Sequence, residues 1–148
     1  MQFTTAAIAS IFAATALAAP TPAPEVKSAM ADVAQWTIES MQRVCDSADT
    51  SCTWSFKVDT HASDVTPCSF TVKGSPASQT GTSGVVCGPY TVSSGWSGQF
   101  GADQGFTTLS VVDNAAKLIV WPAYTDKQLA GGAVVSPDLS FAPTTLTF

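Results

Sequence analysis

The sequence predicts an all-β protein, a compact antiparallel β-barrel or sandwich of about seven to eight short strands. Residues 53–59 alternate between apolar and polar side chains, as in a half-buried strand. Further short apolar runs follow, separated by turns rich in Gly, Pro, Ser and Thr. Four cysteines indicate two disulfides, and the sequence allows at most one short helical turn.

The N-terminal region indicates export, followed by a linker. Residues 1–18 form an apolar run that ends in Ala16-Leu17-Ala18, an A-x-A cleavage site. This run is too short to span a bilayer, and no later stretch is long and apolar enough to do so. We therefore expect a signal peptide over 1–18, a Pro/Ala-rich linker over 19–34 and a single β domain over 35–148.

The composition argues against two kinds of partner. The chain carries a formal net charge of −5, and an acidic surface is unsuited to nucleic acid and to anionic membranes. Only 11% of the residues are charged. Arg43, His61 and Asn114 are the single residues of their types. We expect no nucleic-acid partner and no membrane insertion.

The four cysteines are Cys45, Cys52, Cys68 and Cys87. A structural zinc site needs closer pairs than the gaps of six, fifteen and eighteen residues found here. Three disulfide pairings are possible, and the entropy of loop closure does not choose between them. We favour Cys45–Cys52 and Cys68–Cys87, because each pair then joins neighbouring predicted strands. Since no thiol is then left over, we expect a monomer or a non-covalent dimer.

The segment before the first disulfide is ambiguous, because residues 36–44 fit either a helical stripe or a strand. A polar turn over 46–51 follows, bracketed by Cys45 and Cys52, and leads into the clear strand at 53–59. A cystine across that turn would close a hairpin. The strand is therefore the favoured interpretation of residues 36–44.

The rest of the chain predicts short strands joined by turns. The predicted strands are 68–72, 85–87, 90–93, 106–112 and 118–121. The predicted connections are a loop over 74–84, a bend at Gly88-Pro89, a Gly-rich loop over 94–105 and a hairpin turn over 113–116. Residues 125–128 match a capping box, which opens the single helical turn. The extended tail places Leu146 and Phe148 where they could join a sheet edge.

Taken together, several segments resemble one family of fungal secreted proteins, the hypersensitive response-inducing proteins. The segments are Trp36–Ile38, Arg43–Phe56, Pro67–Val72, Ser93–Phe100 and Pro122–Leu129. The order of strands and cysteines is more distantly similar to the Alternaria major allergen family, which implies a compact disulfide-bonded β-barrel. The first resemblance implies an elicitor or effector that is secreted into the host apoplast. It implies a plant surface or apoplastic protein as the partner, and it carries no catalytic residues.

The sequence offers little for catalysis. A Ser/His/Asp hydrolase needs a positioned histidine, and His61 is better interpreted as a turn residue. A glycosidase needs two opposed carboxylates, whereas Asp46 and Asp49 lie in a tight turn that Asx hydrogen bonding explains. Calcium binding there is also disfavoured, because the turn offers too few ligands. We expect no enzyme activity, no cofactor and no metal.

The aromatic residues divide into two groups. Trp36, Trp54 and Trp121 lie in strand-like runs, which predicts core packing for all three. Trp96 and Phe100 lie in the predicted Gly-rich loop, which makes them the candidate partner-contact residues. They could contact a receptor or a sugar, or fold back as a plug over one end of the barrel, and the plug is favoured.

Three functions remain open on the sequence alone. The first is the secreted elicitor or effector, perceived by plants as a folded surface and triggering defence and hypersensitive cell death. The second is a barrel that binds a small apolar or phenolic ligand, with a cavity lined by Trp54, Phe56, Phe70 and Trp121. The third and least favoured is a cell-wall hydrolase.

Overall fold

The computed structural model describes residues 34–147. The expected signal peptide, nearly all of the expected linker, and Phe148 lie outside the described residues. Within this range the chain forms ten strands and one short α-helix, α1. The strands are β1 (Trp36–Cys45), β2 (Ser51–Asp59), β3 (Thr66–Lys73), β4 (Thr82–Cys87), β5 (Tyr90–Ser97), β6 (Phe106–Asp113), β7 (Leu118–Val120), β8 (Ala123–Thr125), β9 (Leu139–Phe141) and β10 (Thr144–Thr145), and α1 spans Asp126–Leu129.

The strands form two antiparallel sheets packed as a compact β-sandwich. Sheet A has four strands in the order β3-β2-β1-β9. Sheet B has six, in the order β10-β7-β6-β5-β4, with β8 also paired to β6. The long strand β6 pairs with β7 through its C-terminal half and with β8 through its N-terminal half. The fold class predicted from the sequence is confirmed.

Alternation along the strands supplies the core between the sheets. In β2, Trp54, Phe56 and Val58 are buried, whereas Thr53 and Lys57 are exposed. The same period of two recurs in β3, β5 and β6, because successive side chains in a strand point to opposite faces. The inward residues of both sheets form one continuous apolar cluster.

One disulfide joins two strands of a hairpin, and the other joins the two sheets. Cys45 bonds to Cys52 and closes the β1–β2 hairpin. Cys68 in β3 bonds to Cys87 in β4 and so joins sheet A to sheet B. Both pairs are the ones expected, but only Cys45–Cys52 joins strands that are hydrogen-bonded neighbours, since β3 and β4 follow one another in the chain and lie in different sheets. No cysteine within residues 34–147 is free.

The ambiguous N-terminal segment is strand β1, and its irregularity explains the ambiguity. Trp36 and Ile38 face the core, and a bulge between Glu39 and Gln42 then shifts the alternation by one residue. Met41, inside the bulge, is buried. The spacing from Ile38 to Met41 is therefore three residues, which imitates helical periodicity in the sequence.

The prediction that Trp121 lies in the core is wrong, because half of its surface is exposed. Val120 is fully buried opposite Val111, so alternation turns the next side chain to the outer face of sheet B. The run Leu118–Trp121 is apolar throughout, so the sequence gives no signal for which residues face inward.

The predicted loop over 94–105 is also corrected. Strand β5 continues through Ser97, with Trp96 opposite Thr107 of β6. Only residues 98–105 leave the sheet, and they contain one short 3₁₀ turn over Ala102–Gln104. Gly95 and the serines around it resemble a loop in composition, but pairing with β6 holds them in the strand.

The C-terminal region completes both sheets. The capping box is formed: Gln128 N donates to Thr125 Oγ1 at 3.2 Å, and Thr125 N donates to Gln128 Oε1 at 2.8 Å. Strand β9 then adds to β1, and β10 adds to β7.

In the part of the chain that the structure covers, no helix has the length and apolar character needed to cross a membrane.

Candidate functional site

One end of the sandwich is closed by a polar network that includes Trp96. The Trp96 indole donates to Asp126 Oδ2 at 2.9 Å, and Arg43 Nη1 donates to Asp126 Oδ1 at 3.1 Å. Arg43 comes from sheet A, Trp96 from sheet B and Asp126 from α1. We call these three residues the Trp96 clasp, because together they tie both sheets to the helix.

Two glycines make room for the Trp96 ring. A Cβ added at Gly98 or at Gly105 would collide with the indole, and at Gly105 it would also meet the Asp126 carboxylate. The ring is partly buried between these backbones. The Trp96 side chain is therefore held by packing and by its bond to Asp126.

Arg43 is a buried cation whose environment is only partly polar. Its side chain is 7% exposed and lies over the Trp54 ring, 5.6 Å from the ring centroid. Besides Asp126, Nη1 donates to the Ser78 carbonyl at 3.2 Å, while Nε has no hydrogen-bond partner among the described residues. A buried charge of this kind depends strongly on its ion pair, so Asp126 is essential to the clasp.

Phe100 behaves differently from Trp96. It is 68% exposed, and its ring stacks on Phe106 with centroids 6.0 Å apart and an interplanar angle of 23°. The backbone around it is tied by bonds from Gly101 N to the Gly98 carbonyl and from Gln104 N to the Gly101 carbonyl, both 3.0 Å. We call residues 98–105 the Phe100 loop. It presents one aromatic ring on an anchored backbone.

The two carboxylates of the first disulfide turn have different structural partners. Asp46 accepts hydrogen bonds from the side chain and from the backbone N of Thr50, and these bonds lower the pKa of its carboxyl. Asp49 accepts from Ser78 N at 2.8 Å and from the Ser78 hydroxyl. The ligand atoms of Cys45, Asp49 and Cys52 lie close together, but both sulfurs belong to the disulfide. Asx hydrogen bonding therefore explains Asp46 as predicted, but it does not explain Asp49, whose carboxylate holds the turn against the segment that contains Ser78.

His61 lies in a polar cluster that the sequence did not reveal. Its Nε2 is 2.8 Å from Thr37 Oγ1, and its Nδ1 is 3.4 Å from Asp59 Oδ2. Thr37 Oγ1 is also 2.9 Å from Ser140 Oγ. The register places Thr37 opposite both Asp59 and Ser140, and only that register could have predicted the cluster. The order hydroxyl, imidazole, carboxylate resembles a catalytic triad. A catalytic triad also requires oxyanion donors and a substrate cleft, so this order of groups does not by itself define an active site.

The predicted ligand cavity is not formed by the residues proposed for it. Trp54 stacks on Phe70 at a centroid distance of 6.3 Å, and Phe56 meets Phe70 edge-on at 6.5 Å. Trp121 lies on the opposite side of sheet B from this cluster. The three inner aromatics therefore pack on one another in the core.

The fold and these sites define a class of protein: a small β-sandwich crosslinked by two disulfides, with an anchored aromatic loop on its surface. The model of the family Effector TSP1 matches residues 37–146. A relative named Effector TSP1, from Hypocrea virens, is 55% identical over 99% of this chain and 99% of its own. The chain belongs to the Effector TSP1 family and is a fungal effector protein. Family and disulfides are both consistent with a secreted protein.

Proposed function

We propose that this effector is exported to the host apoplast and perceived there by a plant surface or apoplastic protein, inducing defence and hypersensitive cell death. The full-length similarity to a fungal effector supports the general role. The two disulfides support action outside the cell, because such bonds persist in oxidising compartments.

The observation that carries the proposal is the exposure of Phe100 on a rigid support. An aromatic side chain that is 68% exposed offers a large apolar contact, and hot spots of protein interfaces are rich in such rings. Because the Trp96 clasp and two backbone hydrogen bonds hold the loop, little conformational entropy is lost on binding. The Phe100 loop is thus suited to a protein partner.

The proposed role is non-enzymatic. The two carboxylates considered for a glycosidase both accept structural hydrogen bonds. Asp46 accepts from Thr50 within the first disulfide turn, and Asp49 accepts from Ser78 outside it. The His61 cluster is bonded across neighbouring strands, and half of the His61 side chain is exposed. These arrangements support a structural role for the polar groups and an activity that depends on the surface.

Leaf infiltration with purified secreted protein tests the proposal. The native protein should cause an oxidative burst and necrosis, and Phe100→Ala should raise the dose needed by about tenfold. Val86→Ala is the matched control, because Val86 is an exposed apolar residue of β4 outside the loop and its loss should leave the response unchanged. No response to the native protein in several hosts, or equal potency of Phe100→Ala, would contradict the proposal.

A further inference from the structure

The outer face of sheet B holds a shallow pocket that none of the roles above explains. The pocket has a volume of about 190 Å³ and is lined by residues of β5 and β6 together with Trp121. Half of the Trp121 surface is exposed. A large exposed aromatic beside a depression on a sheet face is a feature of binding surfaces.

The strand register fixes which side chains surround the indole. Ser93 pairs with Ser110, and Gly95 pairs with Thr108. Their neighbours Val92, Leu109 and Val111 are buried, so alternation directs this set outward. Trp121 follows Val120, the partner of Val111, and therefore lies level with Ser110. The result is a row of hydroxyls beside an indole.

Gly95 opens the centre of this face. It lies in the interior of β5, where glycine weakens a strand, and a Cβ at this position would meet nothing within 4 Å. This distinguishes it from Gly98 and Gly105, which the Trp96 ring requires. The packing of the chain does not require a glycine at position 95. The absence of a side chain at Gly95 leaves space next to Trp121.

The polar groups of the pocket are uncharged, and most of them are available; the exception is the Ser94 hydroxyl, which accepts from Thr82 N at 3.2 Å. The hydroxyls of Thr108 and Ser110 make no hydrogen bond to another described residue, and Ser93 Oγ only accepts a long bond of 3.4 Å from Gly84 N. No charged residue lines the pocket, although the chain carries a net charge of −5. A complementary ligand is uncharged, forms many hydrogen bonds and has an apolar face for the indole.

We propose that this face binds a neutral polysaccharide, an extended β-1,4-linked glucan chain. The electron-rich face of an indole attracts the weakly positive C–H groups of a pyranose ring, and the hydroxyls of sugar and protein pair beside it. The outward residue Phe106, under Phe100, lies four residues from Ser110 along β6, roughly 13 Å away. The face therefore carries an aromatic residue near each end of a row of hydroxyls that follows one strand direction, an arrangement that suits an extended chain.

The test is binding of the purified secreted protein to insoluble cellulose and to a soluble β-1,4-glucan in affinity electrophoresis. Trp121→Ala should weaken binding by at least about tenfold. Gly95→Val, which fills the pocket, should also weaken it while the protein stays folded by circular dichroism. Val134→Ala removes an equally exposed apolar side chain that lies beside sheet A and should bind as the native protein does.

Three results would overturn the proposal. The first is a native protein that neither glucan retains, or one retained equally after Trp121→Ala. The second is tighter binding of soluble β-1,3-glucan or of chitin oligomers than of the β-1,4-glucan. The third is a native dimer that Trp121→Ala converts to a monomer in light scattering, since the face would then be covered by a second copy of this chain.

Discussion

Asp126 is the residue on which the closed end of the sandwich depends. Its two carboxylate oxygens accept from Trp96 and from Arg43, and Arg43 is 93% buried because only 7% of its surface is exposed. Removing one partner of such a pair leaves a charge without compensation in an apolar environment.

Asp126→Ala should therefore destabilise the protein by about 2 to 4 kcal/mol. The lower end allows for the partial exposure of Asp126. Chemical denaturation monitored by circular dichroism measures the change. Asp103→Ala, an exposed carboxylate of the Phe100 loop, is the control and should change stability little. Equal stability of the two variants would show that the clasp contributes nothing.

Asp46 predicts a dependence of stability on pH. Hydrogen bonds from Thr50 hold its folded-state pKa below the ordinary value. Ionised Asp46 therefore stabilises the fold above the unfolded-state pKa, and that contribution is lost as the pH falls through the folded-state pKa. Between about pH 6 and about pH 3, the melting temperature of the native protein should fall more than that of Asp46→Asn. Parallel curves for both proteins would refute this role.

At the scale of residues, the sequence was informative where local chemistry is decisive. The Thr125–Gln128 capping box follows from short-range spacing, and the cysteine pairs follow from the predicted order of the strands. The inward or outward direction of Trp121 does not, because the apolar run that contains it has no alternation. The His61 cluster joins residues of three strands, so the spacing of these residues along the chain does not predict it.

At the scale of elements, glycines in β5 and in the Phe100 loop have opposite roles. A Cβ at Gly105 would collide with the clasp, whereas one at Gly95 would enter open space. Gly105→Ala should cost about 1 to 3 kcal/mol. Gly95→Ala should be neutral or stabilise by about 0.5 kcal/mol. Thermal melting of the two variants checks the contrast, and similar melting temperatures would contradict the described packing.

The two disulfides also differ as links between elements. Cys45–Cys52 closes a loop of eight residues, and Cys68–Cys87 closes one of twenty. On the chain-entropy account, replacing both cysteines of a pair by alanine should cost about 2.5 and about 3.3 kcal/mol respectively. Denaturation curves of the two double variants measure the difference. A larger loss for the hairpin disulfide would show that the link between the sheets is not the more important one.

The strong alternation of apolar and polar residues makes β2 and β3 predictable. The predicted strand over 106–112 ends one residue before β6 does. The short strands β9 and β10 were not resolved as separate elements, because three and two residues carry no periodic signal and pair only through the tertiary fold. The extent of β5 was missed for a related reason: Ser93–Ser97 has the composition of a loop, and only its pairing with β6 makes it a strand.

At the scale of the whole molecule, the sandwich is a rigid support for two surfaces. One is the Phe100 loop, held by the clasp at the closed end. The other is the glucan track proposed on the outer face of sheet B. The Phe100 loop depends on the relative position of the two sheets, because the clasp joins them, and the core and the Cys68–Cys87 bond maintain that position. The proposed track lies on sheet B alone. The function proposed above requires this folded surface to be intact.

The most direct test compares the response of leaves to native protein and to the same protein reduced, alkylated and shown to be unfolded by circular dichroism. Recognition of a folded surface predicts necrosis and an oxidative burst from the native form alone, at micromolar dose. Equal responses to both forms would mean that the plant perceives a linear segment, and the role assigned here to the crosslinked sandwich would be wrong.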